Sequence, residues 1–163
     1  MQTCTVSAGN PVCGCVRAAD EHSLSGIGGG NQGHGGTITI DGGTIHANGN
    51  DGGAGIGGGD EGDSGHIIIN HGTVTAVSRY KQAPSGEYGA GIGAGADGNE
   101  NEIVISGGRI RAVGHQGVGC GKDGMNGTLK LGDTVHVLFC GEIQPFDDRI
   151  SKARLNDIEL MEQ

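Results

Sequence analysis

Residues 26–47 read GIGGGNQGHGGTITIDGGTIHA, a glycine-rich phrase followed by two short runs in which apolar and polar residues alternate. The opening phrase begins again at residues 55, 91 and 117, so its copies lie 29, 36 and 26 residues apart. In every copy, the next apolar strand residue follows the Ile or Val of the phrase by 11 positions. Units of constant internal spacing are typical of a solenoid, in which similar coils stack on one another.

The alternating runs predict β-strands, because a period of two is the signature of a strand with one buried face. These runs are residues 37–40, 66–69, 102–105 and 128–131. Glycine makes up 37 of the 163 residues, a share that also occurs in low-complexity disordered chains. The alternation favours strands over disorder, since a disordered chain has no reason to keep this phase.

Each unit contains three extended stretches: the glycine phrase, the first alternating run, and a second run after a turn such as Asp41-Gly42-Gly43. The two runs can pair as an antiparallel hairpin, or they can stack on the next unit as parallel coils. Parallel stacking is favoured because like residues recur at like positions. The predicted inward columns are Ile27/Ile56/Ile92/Val118, Ile38/Ile67/Ile103/Leu129, Ile40/Ile69/Ile105/Leu131, Ile45/Val74/Ile110/Val135 and Ala47/Ala76/Ala112/Val137, with the fourth unit one residue shorter at its turn.

The predicted fold is therefore all-β, a right-handed parallel β-helix of about four to five coils. We expect residues 1–163 to form a single domain. Residues 1–25 are expected to form a degenerate first coil that caps the N-terminal end, and residues 26–140 the repeats. Residues 141–163 are expected to cap the other end, as either a helix or a final strand.

Charge and hydropathy exclude two classes of function. Acidic residues outnumber basic ones by 19 to 10, which gives a formal charge of −9 and disfavours nucleic-acid binding. No apolar run is long enough to span a membrane. The N-terminal residues lack the pattern of a secretory signal. Two locations therefore stay open: the cytoplasm, or the cell exterior as a piece of a longer exported chain.

The segments GGAGIGGG at 52–59 and GGTITIDGGTIHA at 35–47 resemble the repeat of large surface and adhesin-like proteins of anaerobic Gram-positive bacteria. More loosely, residues 26–137 resemble parallel β-helix carbohydrate-binding modules. The resemblance implies an extracellular, non-catalytic module. We therefore expect a binding or structural module of the cell surface that recognises carbohydrate and forms part of a longer exported protein. Assembly into an oligomer stays open.

The longest insertion, residues 78–88, holds both tyrosines of the chain and is the first candidate for a ligand site. Aromatic rings stack on sugar rings, and charged side chains hydrogen-bond to hydroxyl groups. The candidate ligand-binding residues here are Arg79, Tyr80, Lys81, Glu87 and Tyr88. A solvated loop whose tyrosines cover the coil is the alternative.

A second candidate is the outward side of the later strand of each unit. Its predicted rows are Thr44/Thr73/Arg109/Thr134 and His46/Thr75/Arg111/His136. Two arginines with His46 and His136 suit an anion or a uronate carboxylate, and a histidine can also abstract a proton. The alternative function is accordingly a small β-helix enzyme, similar to polysaccharide lyases or hydrolases, that acts on an acidic glycan. Solvated side chains on a sheet face are the plainer interpretation.

Calcium is the one cofactor that the sequence leaves open. The turn after each glycine phrase is polar, and the candidate metal ligands are Asp60, Glu61, Asp63, Asp97 and Asp123. Carboxylate oxygens at this density suit calcium, whereas a solvated corner explains the same residues without a metal. Cys120 is expected to be a buried structural residue, because glycine and alanine take its place in the other units.

Overall fold

A computed structural model of the chain describes residues 3–7, 25–79, 88–141 and 158–160. The described residues form strands and turns, with no helix among them. The strands are β1 (Thr3–Ser7), β2 (Ile27–Gly28), β3 (Thr37–Gly49), β4 (Ile56–Gly57), β5 (His66–Ser78), β6 (Ile92–Gly93), β7 (Glu102–Gly114), β8 (Val118–Gly119), β9 (Thr128–Gly141) and β10 (Ile158–Leu160). Within these ranges there is accordingly no helix with the length and apolar character of a membrane span.

The strands form two parallel sheets. The long sheet contains six strands in the order β1-β3-β5-β7-β9-β10, and the short sheet contains four two-residue strands in the order β2-β4-β6-β8. Every pair of neighbouring strands is parallel. The chain alternates between the sheets and advances by one strand per coil, so the fold is a parallel β-helix. The predicted fold class is confirmed, and the antiparallel hairpin is excluded for the described repeats.

The two alternating runs of each unit are halves of one long strand, which corrects the prediction of two strands separated by a turn. β3 continues through Gly42 and Gly43, both of which have positive φ, and its pairing with β5 shifts register between Ile40 and Thr44. Glycine tolerates this backbone conformation, so the strand changes direction without leaving its sheet.

The register of the fourth coil also differs from the predicted one. Ile110 pairs with Val137, and Gly108 pairs with Val135, where the sequence alignment had placed Val135 beside Ile110. The cause is an irregularity after Ile105, where β9 contains one more residue than β7. The fourth unit is thus one residue longer at the bend. A shift of two positions preserves the inward direction of Val135, which is buried.

The core consists of stacked columns of β-branched side chains. Ile38, Ile67 and Ile103 are paired in register and buried, and Leu129 continues their column. Ile40, Ile69 and Ile105 form the adjacent column, so like side chains meet like across each step of the stack. Each inward position therefore faces the same neighbour above and below, and a small range of residue types fills the interior.

Both described ends of the long sheet carry an added strand. β1 pairs with the first half of β3, from Thr3 beside Thr37 to Ser7 beside Asp41. β10 pairs with the second half of β9, with Ile158 beside Val137. The first pairing agrees with a degenerate first coil, and the second shows a final strand within the C-terminal segment. The remaining residues predicted to form the caps lie outside the described ranges.

The short sheet requires glycine because its backbones approach closely. Gly57 has a φ of +132°, and a Cβ at that position would lie 1.8 Å from the carbonyl oxygen of Gly93 on the next coil. An alanine therefore meets both an unfavourable backbone conformation and a steric clash with a backbone atom. By contrast, Gly43 has a φ of +86° with no atom within 4 Å of the same hypothetical Cβ.

Two neighbouring isoleucines test the inward direction of β5. We expect Ile69→Ala to lower the free energy of unfolding by about 2–5 kcal/mol, because it opens a cavity in a closed column. Ile68→Ala, on the half-exposed opposite side of the strand, serves as the control and should cost less than about 1 kcal/mol. The comparison is made by denaturant unfolding followed by circular dichroism. Equal losses would contradict the described register.

Two glycines separate backbone strain from the clash. Gly43→Ala should cost about 1–2 kcal/mol of stability, which is the penalty for a left-handed backbone alone. Gly57→Ala should cost several kcal/mol more and prevent cooperative folding, because the coil below offers no room. The yield of folded protein and the unfolding midpoint measure both effects. A Gly57→Ala protein as stable as Gly43→Ala would show that the coils are not this close.

Candidate functional site

The outward side of β3, β5 and β7, after the glycine bend, carries mostly polar side chains. We call this surface the arginine face. It consists of Thr44, His46 and Asn48 on β3, Thr73, Thr75 and Val77 on β5, and Arg109, Arg111 and Val113 on β7. The intervening residues of these three strands, such as Ile45, Val74 and Ile110, are buried. The alternation fixes the outward direction of each member of the face.

Strand pairing brings the members of this face into two rows. Thr44, Thr73 and Arg109 lie on neighbouring strands in one row, and His46, Thr75 and Arg111 form the other. Neighbouring strands in a sheet are about 4.8 Å apart, so each guanidinium group has a threonine on the adjacent coil. Of the four residues that the sequence assigned to this candidate site, Arg109 and Arg111 lie on one strand, and His46 lies two strands away in the row of Arg111.

The fourth residue, His136, takes a different place from the predicted one. Its backbone pairs with Arg109, whereas the sequence alignment had put it in the row of Arg111. The extra residue in the bend of β9 moves the strand along by two positions, and Leu138 takes the place beside Arg111. His136 therefore belongs to the row of Thr44 and Thr73.

The arginines of this face are exposed and have no acidic partner among the described residues. Arg109 and Arg111 take part in none of the ion pairs of the described ranges, which join His34 to Asp63, His66 and Lys130 to Glu102, and Lys122 to Asp123. The nine positions of the arginine face include no aspartate or glutamate. The face therefore carries two arginines and no carboxylate, in a chain whose formal charge is −9.

The insertion between the second and third coils begins beside the arginine face. Arg79 is exposed, directly follows β5, and donates its backbone N–H to the Gly49 carbonyl over 3.1 Å. At the other end, the Tyr88 carbonyl accepts a hydrogen bond of 3.0 Å from the backbone of Lys122. Tyr80, Lys81 and Glu87 lie outside the described residues. The structure thus places the two ends of this candidate site, and its ligand-binding role stays a prediction.

The five predicted calcium ligands occupy three different kinds of position. Glu61, Asp97 and Asp123 are exposed turn residues with positive φ, and they follow one another from coil to coil with Gln32 at the head of the series. Asp60 is buried. Asp63 Oδ1 accepts hydrogen bonds from both the backbone and the side chain of Asn99.

These positions do not form a convergent set of oxygen ligands. Across the described ranges, no group of three histidine, cysteine, aspartate or glutamate residues is arranged to hold a metal ion. The left-handed backbone and the hydrogen bond of 2.9 Å from Gln32 Nε2 to Glu61 Oε2 account for polar residues at this corner. Calcium binding stays a prediction that no contact between these residues supports.

The sequence analysis missed a row of interacting charges on the outward side of β5, β7 and β9, before their bend. Glu102 on β7 contacts both neighbouring strands: its Oε2 is 3.0 Å from Nδ1 of His66, and its Oε1 accepts a hydrogen bond of 2.7 Å from Lys130 Nζ. The hydrogen bond from Lys130, together with the charge of that residue, lowers the pKa of Glu102. A signal for this row was present, because His66 and Glu102 occupy equivalent positions of adjacent units.

Cys120 behaves as the sequence predicts. Its thiol is free and buried, and Gln116 Nε2 lies 3.3 Å from the sulfur as a hydrogen-bond donor. Glycine and alanine occupy the equivalent positions of the other coils, so the thiol fills a small interior space.

Comparison with known proteins agrees with this geometry. The family model described as Beta helix repeat matches residues 38–60 and 67–96. No curated protein and no solved structure matches the chain. The strand order, the parallel pairing and the family match together define the class: the chain is a parallel β-helix built from repeats. The matched segments cover β3 through β6, which include the first two strands of the arginine face.

The pH dependence of stability tests the row of charges around Glu102. The pKa of Glu102 is lowered in the folded state, so its attraction to Lys130 contributes stability above the unfolded pKa of about 4.3 and is lost as the pH falls through the folded pKa. We expect Lys130→Gln to lower the thermal midpoint at pH 6, and this deficit to disappear at low pH.

Carbon-detected NMR titration of the Glu102 carboxyl measures the same effect directly. In Lys130→Gln the pKa of Glu102 should move up towards its ordinary value, since the principal hydrogen bond is gone. Lys122→Gln is the control, because Lys122 lies beside Asp123 at 3.8 Å and is not among the groups that shift Glu102. Identical Glu102 titrations in the wild type and Lys130→Gln would contradict the described contact.

Proposed function

We propose that the protein is a non-catalytic carbohydrate-binding module of a bacterial cell surface, carried by a longer exported protein. The observation that supports this function is the arginine face, where hydroxyl, imidazole and guanidinium groups project from three adjacent strands. Sugars are recognised by several hydrogen-bonding groups held in fixed positions. Strands in a stacked sheet provide such positions, because β5 and β7 are paired on both sides and this half of β3 is paired with β5.

The regular pairing of the three strands favours an extended ligand. β3, β5 and β7 run in parallel with nearly unbroken register after the bend, so their outward side chains form a regular grid. Neighbouring members of one row are about 4.8 Å apart, and the two rows are about 7 Å apart along the strands. A polysaccharide chain on this grid can contact neighbouring strands and both rows at the same time.

The pattern of contacts favours binding over catalysis. Polysaccharide hydrolysis requires two carboxyl groups placed across the bond, and β-elimination requires a base beside the sugar. Among the described residues no carboxylate pairs with Arg109 or Arg111. His46 is two strands away from Arg111 in the same row, and His136 lies on the strand next to Arg109. The pair of carboxyl groups that hydrolysis requires is therefore not found beside these arginines. A binding surface needs none of these pairings.

The insertion is proposed as a second contact region for the same ligand. Its first residue after β5, Arg79, continues the outward side of that strand beyond Val77. Sugar stacking on Tyr80 or Tyr88 then adds apolar contact to the hydrogen bonds of the arginine face. Both tyrosines of the chain belong to this segment.

Removal of two hydroxyl groups tests the proposed function. We expect Thr73→Val/Thr75→Val to weaken binding to the glycans that the wild type retains on a glycan array by at least about tenfold, because valine keeps the shape but donates no hydrogen bond. Thr37→Val/Thr39→Val is the matched control. It removes two hydroxyl groups with the same spacing from the first half of β3, outside the arginine face.

The threonine control, a tyrosine variant of the insertion and the wild type each give a result that can contradict the proposal. Equal loss of binding in the two threonine variants would contradict a site on the arginine face. Tyr80→Ala/Tyr88→Ala reports on the insertion, and undiminished binding by that variant would remove the insertion from the site. A wild-type protein that binds no glycan on the array, under conditions in which it is folded by circular dichroism, would overturn the proposed function.

A further inference from the structure

We propose that the arginine face selects acidic polysaccharides, and that carboxylates on the sugar chain pair with Arg109 and Arg111. This inference rests on the carbohydrate-binding function proposed above and specifies the class of sugar. It follows from where the charges of the chain lie and from the spacing of the two guanidinium groups.

Charge is segregated between the surfaces of the β-helix. The described ranges contain five lysine and arginine residues, and three of them, Arg79, Arg109 and Arg111, lie on the arginine face or on the continuation of β5 beside it. The same ranges contain eleven aspartate and glutamate residues, none of which occupies the face. Their exclusion leaves a local positive potential.

The spacing of the arginines suits a polymer with regularly placed acid groups. Arg109 and Arg111 are two residues apart on one strand and point to the same side, which separates their Cα atoms by about 7 Å. Each guanidinium group can form two parallel hydrogen bonds with one carboxylate. Thr73 and Thr75 on the adjacent coil then supply hydroxyl groups for the sugar that carries the carboxylate.

The surroundings of the face favour a carboxylated sugar over more densely charged polymers. The chain has a formal charge of −9, so a polymer with closely spaced phosphates or sulfates is repelled by the remaining surface. The nine positions of the face include no phenylalanine, tyrosine or tryptophan on which a nucleic-acid base can stack. A chain with about one carboxylate per sugar can pair a carboxylate with each of the two arginines and leaves its hydroxyl groups for the threonines.

Two double variants with the same net charge test the inference. Arg109→Gln/Arg111→Gln and Lys122→Gln/Lys130→Gln each remove two positive charges, the first pair from the arginine face and the second from other surfaces. We expect the arginine variant to bind polygalacturonate at least about tenfold more weakly than the wild type by biolayer interferometry. The lysine variant should remain within about twofold. All four side chains lie on the surface, and thermal unfolding verifies that both variants fold.

A second comparison changes the ligand and leaves the protein intact. The wild type should bind carboxyl-reduced polygalacturonate, which has the same backbone without the charge, at least about tenfold more weakly than the acidic polymer. Equal binding of the two polymers, or equal effects of the two double variants, would overturn the acidic specificity but leave the carbohydrate function in place. Absence of binding to every polysaccharide would overturn both. Tighter binding of heparin or of single-stranded DNA than of polygalacturonate would overturn the proposed preference for a carboxylated sugar.

Discussion

The close parallel stacking of equivalent backbones is the constraint on which the rest of the structure depends. At the short sheet, each coil approaches the next so closely that the Cβ of any residue other than glycine at position 57 would meet the carbonyl of Gly93. This approach narrows each coil, so a single layer of isoleucine, valine and alanine side chains fills the interior. The large share of glycine, which in another pattern indicates disorder, here permits a thin core to be closed.

Stacking in register also determines where charge can be placed. Equivalent residues face each other from coil to coil, so a charged residue repeated in every unit would repel its own copies. The long sheet avoids this arrangement. Arg109 on β7 is paired with Thr73 on β5, and Glu102 on β7 lies between His66 on β5 and Lys130 on β9. Within the described coils, like charges do follow one another at the exposed corner that contains Glu61, Asp97 and Asp123, where water screens their repulsion.

Features that repeat could be predicted from the sequence, and features that occur once could not. The columns headed by Ile38 and Ile40 followed from the spacing of four similar units, and the structure confirms them. The bend at Gly42 and Gly43 was interpreted as a turn, because glycine pairs mark both a turn and a strand that changes direction within its sheet. The extra residue of β9 was missed for a related reason. Alternating apolar residues fit two registers equally well, and only the pairing with β7 distinguishes them. For the candidate site, the outward arginines followed from alternation, whereas the contact of Glu102 with two coils depends on side-chain conformations.

The hydrogen bonds that join the coils lie nearly parallel to the long axis of the β-helix, since each inner strand of a sheet pairs with the strands before and after it in the stack. A pull between the two ends of the chain therefore acts on one layer of backbone bonds at a time, beginning at the terminal coil. Each layer yields separately, and the coils beneath it keep their own contacts. A protein of this design responds to tension by gradual peeling and lengthens in steps of one coil while its remaining surface stays intact.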